Sequence, residues 1–440
     1  MKDLINKENL TVFEKRYYEI KENWPKQGMD LSLDRIKGYL NYKGNPQNKL
    51  KVIQIGGTNG KGSTGTFIKS ILENNGLKVG FFSSPSIIAD NESIKINDKF
   101  IEYKIFSKDL LDICKNWEEN FDEDNFLSFF EASTIVAIEY FLKEDVDIAI
   151  FEVGLGGRLD STNVFSHKLI DVFSHIGLDH IGVLGNSIEE IATEKSGIIK
   201  NNDIVLSYPI PTEAVEVIKK KCIEKNAKFK TINIEDIGTK EIDIRGSTYT
   251  YKDFKDIFIS MNGENQIYNS IMALEASLIL QDKYGYKITE KNIREGLAKA
   301  FLPGRLEWYK YGNKDILFDG AHNEDGIDGF LSYVTKNIPK KFNLVIGILK
   351  DKEYEKIFYK LKDLNCRFYL TEVPFIGRQL TVEDANKVLK KYRNDKIYKF
   401  EDPIEAIKHA IDNSYEEEPV VVTGSLYLIS KIREYLQNNI

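Results

Sequence analysis

The chain has 440 residues, too many for one ordinary core, so two domains and at most three are expected. Hydrophobic residues at 42% and charged residues at 29% are those of a soluble globular protein. A formal net charge of −7, with Lys and Arg scattered, excludes a general nucleic-acid binder, so an anionic substrate must be met by local charge. Cys114, Cys222 and Cys366 are far apart and odd in number; they form no metal spacing and no disulfide framework, and read as inert thiols of a reducing compartment. The opening MKDLINKENL lacks an apolar segment and no run reaches membrane-spanning length, so a cytoplasmic protein without membrane contact is expected.

Residues 1 to about 48 read as helical and then loop-like, with helical spacing from Leu31 to Leu40 and a turn cluster from Tyr42 to Asn48. The apolar run Val52-Ile53-Gln54-Ile55 reads as a buried parallel strand. It enters Gly56-Gly57-Thr58-Asn59-Gly60, and Lys61, Gly62 and Ser63 open a helix that runs to about Gly76. Strand, glycine loop, lysine, hydroxyl and helix make a cradle for a nucleotide triphosphate. Backbone N–H groups face the phosphates, the helix N-terminus adds positive potential, and the lysine adds a full charge. The strict pattern has Ser or Thr directly after the lysine; here Gly62 intervenes.

A second strand is expected from Leu77 to Phe82, ending at Ser83-Ser84-Pro85, and Ile94 to Ile101 suits a hairpin around Asn97-Asp98. Helices follow at about Ser107–Asn120 and Ser128–Lys143. Val146 to Phe151 is a compact apolar strand ending in Glu152, before Gly154-Leu155-Gly156-Gly157-Arg158. Another strand, Leu169 to Ile176, leads to Gly177-Leu178-Asp179-His180. Ser187 with Glu190 three residues on is a capping-box pattern for a helix through Lys195. Lys228 to Ile259 reads as antiparallel structure at the sheet edge, and helices follow at Gln266–Tyr284 and Thr289–Ala300. Leu302-Pro303-Gly304-Arg305 breaks the pattern and places a domain boundary: 1–301 and 302–440. Beyond it strands and helices alternate again as a smaller α/β domain of doubly wound type.

Glu152 ends an apolar strand beside a phosphate loop, where such sheets hold Mg²⁺. One carboxylate and one hydroxyl are enough protein oxygens for that ion, and Ser84 is a candidate hydroxyl. His180 reads as a loop histidine and Lys195 as an exposed helical lysine. Asp319-Gly320-Ala321-His322-Asn323 and Thr423-Gly424-Ser425 each end a strand in the second domain, and Arg305 could reach phosphates across a cleft. These residues define a two-domain ATP-dependent enzyme with an interdomain site and leave the substrate open.

The motifs resemble one family, the folylpolyglutamate synthase and dihydrofolate synthase branch of the Mur ligases. They are GNPQ at Gly44, GTNGKGST at Gly57, EVGLGGRLDSTNV at Glu152, IGLDH at Ile176, EKSGI at Glu194, LPGRLE at Leu302, FDGAHN at Phe318 and TGSLYL at Thr423. The resemblance implies a P-loop parallel-sheet ATPase domain and a Rossmann-like C-terminal domain. It implies an ATP-dependent ligase that joins L-glutamate to a folate, or to dihydropteroate, through an acyl phosphate. It implies that Thr58, Asn59, Gly60, Lys61, Gly62 and Ser63 hold the phosphates, with Asn269 at the adenine, Arg305 at the phosphates and Asp319 at the nucleotide. Ser84, Glu152 and His180 would ligate Mg²⁺, and Lys195, carbamylated by CO₂, would serve a second Mg²⁺. Arg158, Asp160, His322 and Ser425 would lie toward the other substrates, with Lys61, Lys195 and His322 catalytic and the protein a monomer. The chain departs from the family at Ser86, Ser93, Gly263-Glu264-Asn265-Gln266 and Glu324, which bears on the pterin side and not on the ATP chemistry. A Mur ligase acting on a cell-wall precursor is the alternative. The extended EVGLGGRLDSTN segment argues against it.

Overall fold

The computed structural model of the chain describes residues 32–86, 89–121, 126–209, 211–338, 341–375, 377–415 and 417–439. The helical reading of the first 31 residues lies outside them. The chain divides into two compact units. One runs through Asp236 and takes in Asn269–Leu297; the other comprises Ile237–Tyr268 and the chain from Ala298 onward.

The first unit opens with α1 (Asp34–Tyr42), β1 (Val52–Gly56) and α2 (Lys61–Asn74), followed by β2 (Val79–Phe82), β3 (Ile94–Ile96) and β4 (Lys99–Phe100). Then come α3 (Tyr103–Asn120), α4 (Phe129–Lys143), β5 (Ile148–Glu152), β6 (Ile170–Phe173), α5 (Ile188–Ser196), β7 (Ile204–Ser207), α6 (Thr212–Glu224) and β8 (Lys228–Thr231). The eight strands form one sheet in the order β4-β3-β2-β5-β1-β6-β7-β8. Strands β2, β5, β1, β6, β7 and β8 are parallel; β3 and β4 add the antiparallel edge, turning at Asn97 as the hairpin pattern predicts. Strands β1, β2, β5 and β6 are buried along their whole length, which is why they read as apolar runs without alternation. One cluster packs Tyr39, Phe106, Trp117, Phe141 and Phe151; another packs Phe173, Ile191, Ile198, Val205 and Ile218. Helix α4 starts with a full capping box: Glu131 N donates to Ser128 Oγ and Ser128 N donates to a Glu131 carboxylate oxygen. Arg35 of α1 closes on the same buried carboxylate at 3.2 Å.

Between Lys228 and Ile259 the structure corrects the expected sheet edge. Only β8 joins the large sheet, and it pairs in parallel with β7. The strands β9 (Ile237–Asp243), β10 (Gly246–Tyr251) and β11 (Phe254–Ile259) form a separate antiparallel sheet that belongs to the second unit. Tight hairpins close such a sheet without a crossover, and β9 keeps most of its residues exposed, so it needs no place in the buried parallel sheet. Helix α7 (Glu264–Tyr284) carries the division between the units, and α8 (Glu290–Lys299) follows.

The second unit continues with β12 (Glu307–Tyr311), β13 (Lys314–Asp319), α9 (Glu324–Asn337), β14 (Phe342–Ile346), α10 (Tyr354–Leu361), β15 (Cys366–Thr371), α11 (Val382–Leu389), β16 (Tyr398–Phe400), α12 (Pro403–Asp412), β17 (Val420–Thr423) and α13 (Leu426–Asn438). Its sheet runs β12-β13-β17-β14-β15-β16 and is parallel except for β12, which forms a hairpin with β13. The sequence pattern misses β12, because its short run sits directly behind the Pro-Gly break. All three cysteines are free and buried, and burial pushes each thiol up. Among the described residues no helix is long and apolar enough to cross a membrane.

Candidate active site

The glycine loop joins β1 to α2 at the carboxyl edge of the large sheet. Gly60 caps α2 in the left-handed region, at φ 89°. A side chain there would meet Asn269 Oδ1 at 2.6 Å, and one on Gly57 would meet Ser174 Oγ at 2.0 Å. Both glycines therefore answer to close neighbours as well as to the turn. Thr58 N and Asn59 N donate to the His175 carbonyl at 2.8 and 3.2 Å, and the Thr58 hydroxyl meets Gly177 from both sides at 3.1 Å. The loop is thus tied to the end of β6. Lys61 Nζ lies 3.2 Å from the carbonyls of Gly57 and Thr58, folded over its own loop. Ser63 and Asn269 are buried, and Thr64 Oγ1 reaches Asn269 Oδ1 at 3.3 Å. Gly62 accepts from Thr66 Oγ1 within the first turn of the helix.

Lys195 is not the exposed lysine its helical pattern suggests. It is 5% exposed, and its Nζ donates to the Gly57 carbonyl at 2.8 Å. Burial pushes its pKa down to about 7; Lys61 pushes the same way, while Asp179 and Asp160 oppose. Sequence pattern missed this burial because the lysine's neighbours arrive from other elements. Gly157 packs against the Lys195 backbone, where a Cβ would stand 2.6 Å from its carbonyl oxygen. The N-cap of α5 is Ser187, as predicted, but Glu190 returns to Asn186 N instead of Ser187 N.

Glu152 is buried at the end of β5. Phe82 of β2 faces Phe151 of β5, so the chain leaves these neighbouring strands toward Ser84 and Glu152 at one edge of the sheet. A hard divalent cation that keeps several waters needs only one or two protein oxygens, and this hydroxyl and carboxylate fit Mg²⁺ in kind. His180 is exposed, at φ 52°, in the turn after β6, with its N–H on Asp179 Oδ1. Among the described residues no three His, Cys, Asp or Glu side chains gather as a metal-binding group.

Asp160 and Arg158, both expected toward substrate, sit differently. Asp160 is buried and accepts from Leu155 N at 2.8 Å, Thr162 N at 2.9 Å and the Thr162 hydroxyl. Burial raises its pKa against those hydrogen bonds. Its carboxylate therefore holds the loop after β5. Arg158 is half exposed and pairs with Glu194, next to Lys195, at 3.1 Å.

In the second unit, Asp319 ends β13 and is buried. Its oxygens accept from Leu306 N and Ala321 N, each at 3.0 Å. Burial pushes its pKa up to about 6, against Arg305. Arg305 is close: a Cβ on Gly320 would stand 3.0 Å from its Nη1. His322 Nδ1 bonds the Gly320 carbonyl at 2.8 Å, which leaves Nε2 on the other side of the ring. Ser425 caps α13 through Tyr427 N.

Sequence reasoning missed two polar residues inside buried strands. Gln54 of β1 bonds Thr162 and Lys168, and Asp171 of β6 pairs with the fully buried Lys168, which also meets Asp203 at 3.3 Å. A polar residue within a buried strand was the available signal. Through Thr162 this network reaches Asp160 and so braces the loop after Glu152.

A phosphate cradle on one parallel sheet, and a second parallel-sheet unit with polar groups at its strand ends, are the parts of an ATP-dependent ligase of the Mur type. Family comparison agrees: the Mur ligase middle domain matches residues 55–277, and the Mur ligase glutamate ligase domain matches 304–426. The chain belongs to the folylpolyglutamate synthase and dihydrofolate synthase family of Mur ligases. It is 34% identical over 423 residues to the dihydrofolate synthase/folylpolyglutamate synthase of Bacillus subtilis, covering 94% of this chain and 96% of that protein. It is 31% identical over 415 residues to the folylpolyglutamate synthase of Lacticaseibacillus casei, covering 91% and 94%. Among solved structures, the folylpolyglutamate synthase of Thermotoga maritima superposes with a TM-score of 0.83 at 32% identity, over 97% of this chain and 98% of that one. E. coli FolC in complex with DHPP and ADP gives 0.85 at 25% identity, over 97% and 98%.

Proposed function

We infer that the protein is an ATP-dependent ligase that adds L-glutamate to a folate carboxylate, and that it also accepts dihydropteroate. A carboxylate is a poor electrophile. Transfer of the ATP γ-phosphoryl group to it gives an acyl phosphate, the glutamate amine attacks through a tetrahedral intermediate, and phosphate leaves. Lys61 and the backbone from Thr58 to Ser63 hold the phosphates, and Lys61 shifts from its own loop carbonyls to the incoming charge. Asn269 contacts the adenine, Arg305 the phosphates and Asp319 the nucleotide. His322 and Ser425 face the incoming glutamate, and Arg158 and Asp160 shape the wall toward the pterin substrate. Ser84, Glu152 and His180 would hold Mg²⁺, which supplies charge neutralisation at the phosphates, and Lys195, once carbamylated, would serve a second Mg²⁺. We take 1–301 as the ATP-binding domain and 302–440 as the ligase domain, in a cytoplasmic monomer.

The observation that carries this reading is Lys195. A buried amine whose pKa is pushed down to about 7, on the phosphate loop's own carbonyl, supports uptake of CO₂ and a role beside the nucleotide. The relatives' names favour the folate reading over a cell-wall precursor. The test is ADP release from purified protein with Mg-ATP and L-glutamate, adding in turn dihydropteroate, tetrahydrofolate or a UDP-linked peptide precursor. Release with a pterin compound is expected; release with the UDP-linked compound alone would overturn the assignment.

A further inference from the structure

Arg305 stands between two residues in the left-handed region, Gly304 at φ 71° and Leu306 at φ 47°. A leucine there needs to be held, and two buried carboxylates hold it. Asp319 takes Leu306 N at 3.0 Å, and Glu307 takes Gly304 N on Oε2 at 2.8 Å. The Gly304 carbonyl in turn accepts from Gly320 N at 2.8 Å. The other oxygen of Glu307, Oε1, accepts from Arg433 Nε at 3.2 Å and Nη2 at 2.8 Å, on helix α13. The two side chains are 5% and 17% exposed. Leu426, Ile429 and Arg433 share one face of α13, and that face backs the turn. A Cβ on Gly304 would stand 3.3 Å from Ile429, and one on Gly320 would stand 2.4 Å from Leu426.

A neutral glutamine could accept the Gly304 N–H alone. A buried ion pair is a costly way to make one loop hydrogen bond, and it is justified where geometry must be fixed. Each Glu307 oxygen has its own task, one on the loop and one on the helix, so the ion pair transmits the position of α13 to the residues on either side of Arg305. We propose that Glu307 and Arg433 are a positioning pair that fixes the Gly304–Leu306 turn and thereby aims the Arg305 guanidinium at the nucleotide phosphates. The proposal rests on the reading of Arg305 given above.

The test compares Glu307→Gln, Arg433→Lys and the double variant with Arg305→Ala, reading KM for ATP, kcat and thermal midpoint on the full chain. Glu307→Gln keeps an acceptor for Gly304 N and loses the charge pair. Arg433→Lys keeps the charge but not the two-nitrogen contact, and it carries the test alone if Glu307→Gln does not fold. The expected result is an ATP KM raised about tenfold or more in Arg305→Ala and Glu307→Gln and by less in Arg433→Lys. Saturating kcat should stay within about threefold in the pair variants, and the double variant should be no worse than Glu307→Gln. A raised KM in Arg305→Ala with an unchanged KM in the pair variants overturns the positioning role, and a lowered thermal midpoint would then mark the pair as structural only. An unchanged KM in Arg305→Ala itself overturns the reading of Arg305, and the inference with it.

Discussion

The side-chain nitrogens of Lys61 and Lys195 converge on one acceptor, the Gly57 carbonyl, at 3.2 and 2.8 Å. Two amines on one carbonyl repel each other if both are charged, and the deeply buried Lys195 is pushed toward neutrality. The Lys195→Ala variant is therefore expected to lose at least about a hundredfold in ATP-dependent glutamate ligation. High bicarbonate should not restore it, because there is no amine left to carry the carbamate. Near wild-type turnover in a coupled ADP assay would defeat this role.

The same burial makes Lys195 a liability for the fold. Its pKa falls from 10.5 in the unfolded chain to about 7 in the folded one. Between those values the unfolded chain binds more protons, so the stability of the wild type rises with pH through that window, and the penalty is full below about pH 7. Relative to wild type, Lys195→Met is expected to gain most at pH 6 and progressively less toward pH 10. Urea unfolding at several pH values measures the difference, and a gap that does not change with pH would contradict the assigned burial.

Gly60→Ala is expected to cost about 2–4 kcal/mol, because a Cβ in the left-handed region adds to the crowding against Asn269. Adding Asn269→Ala should recover the crowding share and leave the backbone share. A double variant no more stable than the single one would show that Asn269 is not the obstacle.

Two neighbours in the same motif should behave differently. Asp160→Asn leaves loop N–H groups facing an amide and should destabilise by about 1–3 kcal/mol. Arg158→Ala breaks a half-exposed pair with Glu194 and should change stability by less than about 1 kcal/mol. Any larger loss of ligation in Arg158→Ala then reports substrate contact. Equal stability losses in the two variants would contradict the division of roles.

Below the site, Lys168→Met should cost about 3–5 kcal/mol, since it strands Asp171 and Asp203 in the interior. Adding Asp171→Leu should return part of that loss. If Lys168→Met is neutral in denaturant titration, the buried network does not support the sheet.

Local sequence determined the elements that chemistry and backbone sterics dictate: the apolar run before Gly56, the glycines and Lys61 of the loop, the Ser187 N-cap and the strand ends at Glu152 and Asp319. Each depends on neighbours a few residues away, so a linear reading could reach it. Tertiary structure decided the rest. Lys195 looked exposed because its helix is amphipathic by pattern, and it is buried because Gly57 and Gly157 arrive from other parts of the chain. The hydrogen bonds that Asp160 accepts from Leu155 and Thr162 are visible only in the folded loop. Residues 237–259 looked like a sheet edge and formed their own sheet, because adjacent strands closed by tight hairpins pair with one another, and spacing does not say whether they also join a larger sheet. Glu307 gave no sign of its partner, since Arg433 stands 126 residues away.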